Sequence, residues 1–202
     1  MMRIDPKTLT RTYTRTYADE SALAFSAIDC VLNGEQAVYA STELTTGRRA
    51  QAVLREIGGH LSSELRHRLG PGEYETRIWN PNVQGATAFA RRLHHSLGGN
   101  QIVVTPAPFM APGWKQPEYL SFWETLIRTR IKAVYFNDGW EFSNGCAFEY
   151  LVARDQQLPT FDAECRPLTA PNALALLRAA IQALTVDGID TEALASTAAD
   201  LA

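Results

Sequence analysis

The stretch that decides the fold runs from residue 134 to residue 149: Val134-Tyr-Phe-Asn-Asp-Gly-Trp-Glu-Phe-Ser-Asn-Gly-Cys-Ala-Phe-Glu149. It begins as an apolar run of the β type, breaks into polar turn residues and continues as a helix. In an open α/β fold, a loop between such a strand and helix lies at the carboxyl edge of the sheet, where ligands bind. The free N–H groups at the start of the helix, with their partial positive charge, suit an anion.

The start of this helix carries residues suited to a binding site. Ser143 and Asn144 are good N-cap types, and Gly145 has no Cβ to keep a ligand away from the backbone. Glu149 follows about one and a half turns into the helix, so its side chain points back toward the loop. A carboxylate beside an anion site is electrostatically unfavourable. A chemical role would explain why it is there. Glu149 is therefore a candidate catalytic residue.

These residues carry a resemblance to a known protein family. The motif is Ser143-x-Gly145-x-x-x-Glu149, preceded by a β run and Asp138-Gly-Trp140 and followed by Ala153 and Leu158-Pro159. It resembles the signature of the nucleoside 2-deoxyribosyltransferase superfamily, whose members use the glutamate as the nucleophile that attacks C1′ of a nucleoside. Members that act on free nucleosides usually carry Asp where Ser143 stands. The nucleoside 5′-monophosphate N-glycosidases of the superfamily carry Ser there and bind phosphate, so the resemblance is nearest to that branch.

Size and composition bound the class of protein. The chain has 202 residues, 46% hydrophobic and 20% charged, as expected for one well-buried globular domain. Its net charge of -3 argues against a surface that coats nucleic acid and fits a mononucleotide better than a polymer. Three widely spaced cysteines match neither a disulfide framework nor a zinc pattern, so a cytoplasmic location is expected. The sequence shows neither a membrane-spanning apolar run nor the apolar region of a signal peptide.

A second candidate binding loop lies earlier in the chain. The apolar run 36–40 predicts the first strand, and a loop at 41–49 leads into a helical pattern that stops at Gly70-Pro71. The loop contains hydroxyl groups, Gly47 and Arg48. These suit a phosphate, because hydroxyls, backbone N–H groups and a guanidinium all donate hydrogen bonds.

The resemblance extends to this loop. In the monophosphate N-glycosidases the first strand also ends in a tyrosine, followed by a glycine-rich phosphate loop with an arginine, and Tyr39 and Arg48 stand at the matching positions. This implies that Tyr39 orients the Glu149 carboxylate and that Arg48 holds the phosphate. Glu43 departs from the family's glycines and would repel a phosphate. The alternative is that Tyr39 is a core aromatic residue and Arg48 a solvated helix start.

A second carboxylate of interest lies on the helix predicted to begin at Pro117. Glu124 shares a face with Leu120 and Ile127, so a semi-buried position is expected for it. Superfamily members have an acidic residue, usually Asp, at a similar distance before the nucleophile, where it contacts substrate and is proposed to help protonate the departing base. The resemblance makes Glu124 the candidate general acid. The alternative is an ion pair with Arg128 on the same helix.

The loop at 106–117 follows the second predicted strand, at 101–105. Its prolines and its apolar residues Phe109 and Trp114 indicate a stiffened lid instead of a floppy linker. An aromatic residue on such a loop, with Trp114 the candidate, can stack on a nucleobase. The alternative is that Phe109 and Trp114 pin the loop to the core.

The remaining patterns complete an α/β fold. Residues 72–83 indicate an irregular excursion or an extra strand, and 87–97 a helix on which His94 and His95 point about 100° apart and so cannot chelate one metal. A strand at 158–162 precedes helices at 171–184, with Asn172 as its cap, and at 190–201. This alternation indicates a doubly wound parallel sheet with helices on both faces. The resemblance, covering 36–183, implies a flavodoxin-like or Rossmann-like architecture.

The chain is expected to divide into three parts. Residues 1–34 form an N-terminal extension, with a helix at 22–32 packed on the body or on a second subunit. Residues 35–184 form the nucleoside 2-deoxyribosyltransferase-like domain, and residues 185–202 carry a C-terminal helix. Family members are homo-oligomers, so the resemblance implies a homodimer.

The expected function is retaining cleavage of the N-glycosidic bond of a nucleoside 5′-monophosphate. Glu149 attacks C1′, and water or an acceptor base releases the glycosyl-enzyme intermediate. Ser143, the Gly145 amide and Arg48 hold the 5′-phosphate, while Asp138, Trp140 and the loop at 106–117 border the sugar or base. No metal or redox cofactor is required, because the protein supplies both nucleophile and acid. Two alternatives stay open: base exchange by a deoxyribosyltransferase, and a non-catalytic nucleotide-binding module of the same fold.

Overall fold

A four-stranded parallel sheet organises the protein, whose computed structural model describes residues 16–107 and 109–202. The strands are β1 (Ala37–Ser41), β2 (Val103–Val104), β3 (Ile131–Phe136) and β4 (Thr160–Phe161). The helices are α1 (Tyr17–Leu32), α2 (Arg48–Ile57), α3 (Leu65–Leu69), α4 (Pro71–Tyr74), α5 (Asn80–Ser96), α6 (Gln116–Arg130), α7 (Asn144–Asp155), α8 (Ala170–Val186) and α9 (Glu192–Leu201). Residues 1–15 of the expected extension and Pro108 of the expected lid lie outside the described residues.

The sheet has the strand order β2-β1-β3-β4, and every neighbouring pair is parallel. Side chains alternate between the two faces of a strand. Tyr39 packs with residues of α6 and α7 on one face, whereas Val38 and Ala40 pack against Phe89 and Leu93 of α5 on the other. Helices therefore cover both faces. The predicted α/β class, a doubly wound parallel sheet, is confirmed.

The prediction of an irregular excursion or extra strand at 72–83 is wrong, because these residues are helical. α4, a π-helical turn at Glu75–Trp79 and α5 follow one another without a break. Tyr74, Ile78 and Asn82 are buried at intervals of four residues, so they form one face of a helix. The turn-forming residues around them made this pattern hard to recognise in the sequence. Pro81 lies in the first turn of α5, directly after the π-helical turn, where the helical hydrogen-bond pattern changes.

Other element ends differ modestly from expectation. The helix predicted to continue as far as Gly70-Pro71 ends at Ile57, where Gly58 adopts a left-handed cap with φ of 61°. The cap of α8 is Thr169, not Asn172. The Thr169 side chain accepts a hydrogen bond from Asn172 N at 3.4 Å.

Both terminal helices pack on their own chain. Phe25 of α1 stacks on Phe122 of α6 with ring centroids 4.6 Å apart, and Arg130 donates to both carboxylate oxygens of Asp29 at 2.6 and 2.9 Å. Leu194 and Leu201 of α9 lie in the core. The N-terminal helix was expected to pack either on the body of the protein or on a second subunit. In the structure α1 packs on the body, against α6. No helix in the described ranges combines the length and apolar character needed to cross a membrane.

Candidate active site

The strand order creates a switch point between β1 and β3. The chain runs from β1 to β2 on one side, then crosses back to β3 on the other, so the loops after β1 and β3 begin side by side at the carboxyl edge of the sheet. In open α/β sheets this is where ligands bind. The loop after β1 comprises residues 42–47, and the segment after β3 comprises residues 137–143. The two stretches singled out from the sequence therefore meet at one edge.

The carboxylate of Glu149 lies at this switch point, held by two hydroxyl groups of β1. Tyr39 Oη donates to Glu149 Oε1 at 2.7 Å, and Ser41 Oγ donates to Glu149 Oε2 at 2.6 Å. Tyr39 and Ser41 are two residues apart on a strand, so their side chains point to the same face of the sheet. Glu149 is only 6% exposed. Because each carboxylate oxygen has a hydroxyl partner, the group is fixed in one orientation.

Burial sets the protonation of this carboxylate. Removal from water raises the pKa of Glu149 from 4.5 to about 7, although the hydrogen bonds from Ser41 and Tyr39 lower it. Burial and the nearby Glu149 charge raise the pKa of Tyr39 well above its ordinary value, so the phenol stays protonated and remains a donor. A substantial share of Glu149 is ionised at neutral pH, and that carboxylate is more basic than one in water.

Cys146 is a further ionisable group close to Glu149, and it remains a thiol. Burial, followed by the Glu149 charge, raises the pKa of Cys146 far above its ordinary value. A protonated, buried thiol is a poor nucleophile. Among the described residues, no group of three or more His, Cys, Asp and Glu side chains is placed to hold a metal ion. At neutral pH the carboxylate therefore has more nucleophilic character than the thiol beside it.

Ser143 caps the N-terminus of α7, as the sequence indicated. It is 3% exposed, and its Oγ accepts from Cys146 N at 3.4 Å. Thr46 Oγ1, from the loop after β1, lies 3.1 Å from Ser143 Oγ and accepts from Asn144 N at 3.2 Å. The two loops thus meet at the first turn of α7, which also contains Gly145. The hydroxyl and amide groups of this cluster are donors of the kind that bind an anion.

Arg48 joins the two loops instead of standing free at a helix start. Its Nη2 donates to Glu141 Oε1 at 2.8 Å, and its guanidinium carbon lies 5.0 Å from the centroid of the Phe142 ring. The Arg48 stem also crosses Gly139, where an added Cβ would lie 3.0 Å from Arg48 Cδ. The Arg48 side chain is 56% exposed, whereas that of Glu141 is 9% exposed. A phosphate that contacts Arg48 must share it with Glu141.

Glu124 takes the alternative position considered for it. Its Oε1 accepts from Arg128 Nε at 2.9 Å, and its side chain is 36% exposed. The residue of α6 that reaches the site is the preceding one, Trp123, whose ring centroid is 5.9 Å from that of Tyr39. Adjacent helical positions point about 100° apart, so Glu124 is directed away from Tyr39. The structure favours the ion pair with Arg128 over a general-acid role.

Trp114 is held by residues of α1 and by an aromatic residue of α6. Its Nε1 donates to Glu20 Oε2 at 2.7 Å, and its ring lies edge-on to Tyr17 at 4.9 Å and to Phe122 at 5.3 Å. Phe109 stacks on Phe122 at 4.9 Å. These contacts correspond to the alternative in which the loop is pinned to the core. They leave the Trp114 ring engaged with protein groups instead of a base.

The other candidate residues divide between core and surface. Trp140 is 4% exposed and stacks on Tyr150 at 5.2 Å, so it supports α7 from within the core and does not border a ligand. Asp138 is exposed in the segment after β3. Gly47 precedes the first turn of α2 with φ of 111°.

Three residues of the cluster were not found from the sequence. Ser41 follows Tyr39 by two positions, which is the strand period, but the predicted strand ended one residue too early to include it. Thr46 carried a detectable signal, because it is one of the hydroxyls of the candidate phosphate loop. Glu141 gave no signal, because its contact with Arg48 depends on how the two loops meet.

Two surface clefts of about 500 Å³ lie beside the edge strands. One is lined by residues around β4, including Arg154 and Thr160, and the other by residues around β2, including His94 and Thr105. Neither is lined by Glu149, Tyr39 or Ser143. The candidate site is therefore identified by its chemistry and not by the depth of a cavity.

Comparisons of the chain with models of protein families, with curated proteins and with solved structures find no match. The class defined above is an α/β protein with a doubly wound parallel sheet and a buried, hydroxyl-bound glutamate at its switch point.

Proposed function

We propose that the protein is a retaining N-glycosidase of nucleoside 5′-monophosphates, acting through a glycosyl-Glu149 intermediate. The observation that carries the proposal is the buried Glu149 carboxylate, oriented by Tyr39 and Ser41 at the switch point of the sheet. Burying a carboxylate is costly, and among the described residues this one has hydroxyl partners but no cation to offset the cost. Such a group at a ligand-binding edge is typical of a catalytic residue. The resemblance noted in the sequence supports the same assignment.

The first step makes one bond and breaks another at C1′. Ionised Glu149 attacks C1′ through an oxocarbenium-like transition state, the N-glycosidic bond breaks, and its electron pair leaves with the base. The departing base nitrogen takes a proton from water. Tyr39 and Ser41 hold the carboxylate so that one orientation faces the sugar. Glu124, paired with Arg128, is not assigned the role of acid in this step.

The second step releases the sugar phosphate. Water attacks C1′ of the glycosyl ester, Glu149 leaves as a carboxylate, and the proton from water passes to solvent. If a second base attacks instead of water, the net reaction is base exchange, and the same residues serve a transferase. The first step is common to both activities.

The 5′-phosphate is placed at the cluster that joins the two loops. Ser143 and the amide groups at the start of α7 precede Glu149 on the same helix. Thr46, from the loop after β1, contacts Ser143 and Asn144. A phosphate at the N-terminus of α7 puts the sugar between that turn and the Glu149 carboxylate. Arg48 adds positive charge at the rim, although it shares that charge with Glu141. Asp138, exposed on the segment after β3, is the residue proposed to border the sugar or base.

The experiment that tests the proposal is a panel of ribo- and deoxyribonucleosides and their 5′-monophosphates, with free base measured by chromatography. We expect base release from at least one monophosphate, faster than from the matching nucleoside. Product analysis with and without a second base separates hydrolysis from base exchange. Tight binding without base release from every monophosphate would contradict an enzyme and favour a nucleotide-binding module.

The pH dependence of the reaction is expected to follow the ionisation of Glu149. Only the ionised form is a nucleophile, so kcat/KM rises with pH up to the pKa of about 7 and levels off above it. Tyr39→Phe removes a hydrogen bond that lowers this pKa, so the rising limb moves to higher pH. The measurement is kcat/KM against pH for both proteins.

Tyr135→Phe is the matched control for this shift. Tyr135 lies on the opposite face of the sheet, where it stacks on Phe161 at 4.8 Å. Removal of the Tyr135 hydroxyl should leave the rising limb of the kcat/KM profile where it is in the wild type. Titration of the substrate phosphate affects all three proteins alike, so it does not contribute to a difference between them. A limb that stays fixed or moves to lower pH in Tyr39→Phe would show that Glu149 does not govern the rate.

Assembly as a homodimer remains a prediction from the resemblance. The apolar faces of α9 and much of α1 are used within the chain, but Leu23 and Val31 of α1 are 56% and 68% exposed. These two residues are eight positions apart and so lie on one face of the helix. We expect a dimer by light scattering at micromolar concentration, and dissociation when both are changed to Glu. A monomeric wild-type protein would contradict the prediction.

A further inference from the structure

The carboxylate of Glu43 occupies the N-terminus of α2. Its Oε2 accepts a hydrogen bond from Arg48 N, the first amide of that helix, at 2.8 Å. Gly47, the N-cap residue, has no side chain with which to cap the helix. A helix N-terminus carries partial positive charge and attracts an anion. In this protein the anion is supplied by the chain itself.

The backbone is shaped to receive this carboxylate. An added Cβ on Gly47 would lie 1.9 Å from Glu43 Oε2 and 2.7 Å from Glu43 Cδ. Gly47 also has φ of 111°, a conformation that residues with a Cβ rarely adopt. The first observation shows that the Glu43 side chain fills the space that a Cβ on residue 47 would need, and the second shows that the backbone there favours glycine. The contact is therefore a feature of the loop and not a chance surface hydrogen bond.

The position that Glu43 occupies belongs to the proposed phosphate cluster. Thr46 immediately precedes Gly47, and its Oγ1 contacts both Ser143 Oγ and Asn144 N. The N-termini of α2 and α7 therefore converge on this loop. The α7 N-terminus is capped by the neutral hydroxyl of Ser143, whereas that of α2 is bound by a carboxylate.

A second carboxylate neutralises the nearby guanidinium. Glu141 pairs with Arg48, so the first amide of α2 and the Arg48 side chain each face a glutamate, whereas Arg49 on the same turn donates to the neutral Asn82 side chain. A phosphate entering this cluster meets like charge at short range, which is repulsive in a partly desolvated site. Of the two glutamates, Glu141 contacts the Arg48 side chain, whereas Glu43 lies on the loop after β1 and contacts the Arg48 amide.

We infer that Glu43 determines which 5′ group the site accepts: its carboxylate holds the amide end of α2 in the free protein, and a 5′-phosphate binds there only by displacing it. The inference rests on the proposed function for the identity of the ligand. Glu43 thereby weakens binding of phosphorylated ligands and leaves binding of unphosphorylated sugars unchanged. Glu43→Gln keeps an oxygen that accepts from Arg48 N but removes the charge, so the loop is preserved while the repulsion is lost.

The test is calorimetric titration of the full chain with sugar phosphates, which carry the 5′ group without a base. The ligands are ribose 5-phosphate, 2-deoxyribose 5-phosphate and inorganic phosphate, with 2-deoxyribose as the unphosphorylated ligand. We expect Glu43→Gln to lower the Kd of at least one sugar phosphate by about tenfold or more, the scale of one charge-assisted contact. Binding of 2-deoxyribose should not change.

Glu35→Gln is the matched control. Glu35 is exposed and lies just before β1, at the amino edge of the sheet, so its replacement removes the same charge from the opposite end of the strand. An equal gain in Glu35→Gln would assign the effect to net charge and overturn the inference. Unchanged or weaker sugar-phosphate binding in Glu43→Gln, or none in either protein, would also overturn it. Base release in the nucleotide panel decides the proposed function separately, so either can fail alone.

Discussion

Glu149→Gln is expected to lower base release from nucleoside 5′-monophosphates by at least about a thousandfold, because an amide cannot form the glycosyl ester. Gln has nearly the same shape, and its oxygen and nitrogen can still meet the hydroxyls of Tyr39 and Ser41, so the site keeps its structure. The measurement is kcat/KM for the best substrate of the panel. Glu35→Gln, a change of the same type at the far edge of the sheet, retains near-normal activity. Near-normal turnover by Glu149→Gln would remove Glu149 from the mechanism.

The same substitution is expected to stabilise the protein, and to do so most at high pH. The pKa of Glu149 is raised from 4.5 to about 7 by burial, so the folded state holds a proton that the unfolded state has lost. The favourable contribution is complete below the unfolded pKa and is lost as pH rises through the folded pKa. Above it, folding must bury an ionised carboxylate at a cost of up to about 3 kcal/mol.

Glu149→Gln avoids this cost. Its free energy of unfolding, from urea titrations, should exceed that of the wild type by up to about 3 kcal/mol at pH 8 and by little at pH 4. A variant that is less stable than the wild type at pH 8 would show that Glu149 is there to hold the fold together. Loss of activity together with a gain in stability is the pattern expected of a residue retained for chemistry.

Ser143→Asp is expected to reverse the preference for the 5′-phosphate. An ionised carboxylate still accepts the capping bond from Cys146 N, but it cannot donate to a phosphate oxygen and it repels the dianion. Loss of one charge-assisted hydrogen bond costs about 1.5–3 kcal/mol, so kcat/KM for the monophosphate should fall roughly ten- to a hundredfold. The value for the matching nucleoside should stay the same or rise.

Ser143→Asn is the control for this experiment. Asn has the shape of Asp, is neutral and is an equally good N-cap residue, so it tests the size of the new side chain without its charge. We expect Ser143→Asn to keep the preference for the monophosphate. If Asp and Asn had the same effect, the phosphate would bind away from the α7 N-terminus. Arg48→Ala should change the preference less, since Glu141 already shares the Arg48 charge.

The fold was predictable because its signals are local. The apolar run at 134–136, the turn residues after it and Ser143 as N-cap place β3 and α7 in the chain before any tertiary contact is considered. Residues 72–83 were misjudged because Gly72 and Pro81 are turn formers by propensity. The burial of Tyr74 and Ile78 against the core outweighs that propensity in the folded chain.

The pairing of Tyr39 with Glu149 was expected from the family resemblance, together with the position of Glu149 behind the start of a helix. Glu149 and Tyr39 were singled out from the sequence, and the structure joins them by a hydrogen bond. Glu124 was singled out with an alternative, and helical spacing alone cannot tell which side of α6 meets β1. Trp123 meets it, and Glu124 pairs with Arg128. The contact of Arg48 with Glu141 joins residues far apart in the chain, which local patterns do not reveal.

The most direct test of the central claim is intact-mass spectrometry after incubation with 2′-deoxy-2′-fluoroarabinonucleoside 5′-monophosphates. The fluorine destabilises the oxocarbenium-like transition states, and an intermediate that forms is expected to accumulate because its hydrolysis is slowed. We expect the wild-type mass to increase by one fluorosugar phosphate, peptide mapping to place the addition on Glu149, and Glu149→Gln to show none. Base release from ordinary monophosphates with no adduct from any analogue, or an adduct that persists in Glu149→Gln, would contradict the account.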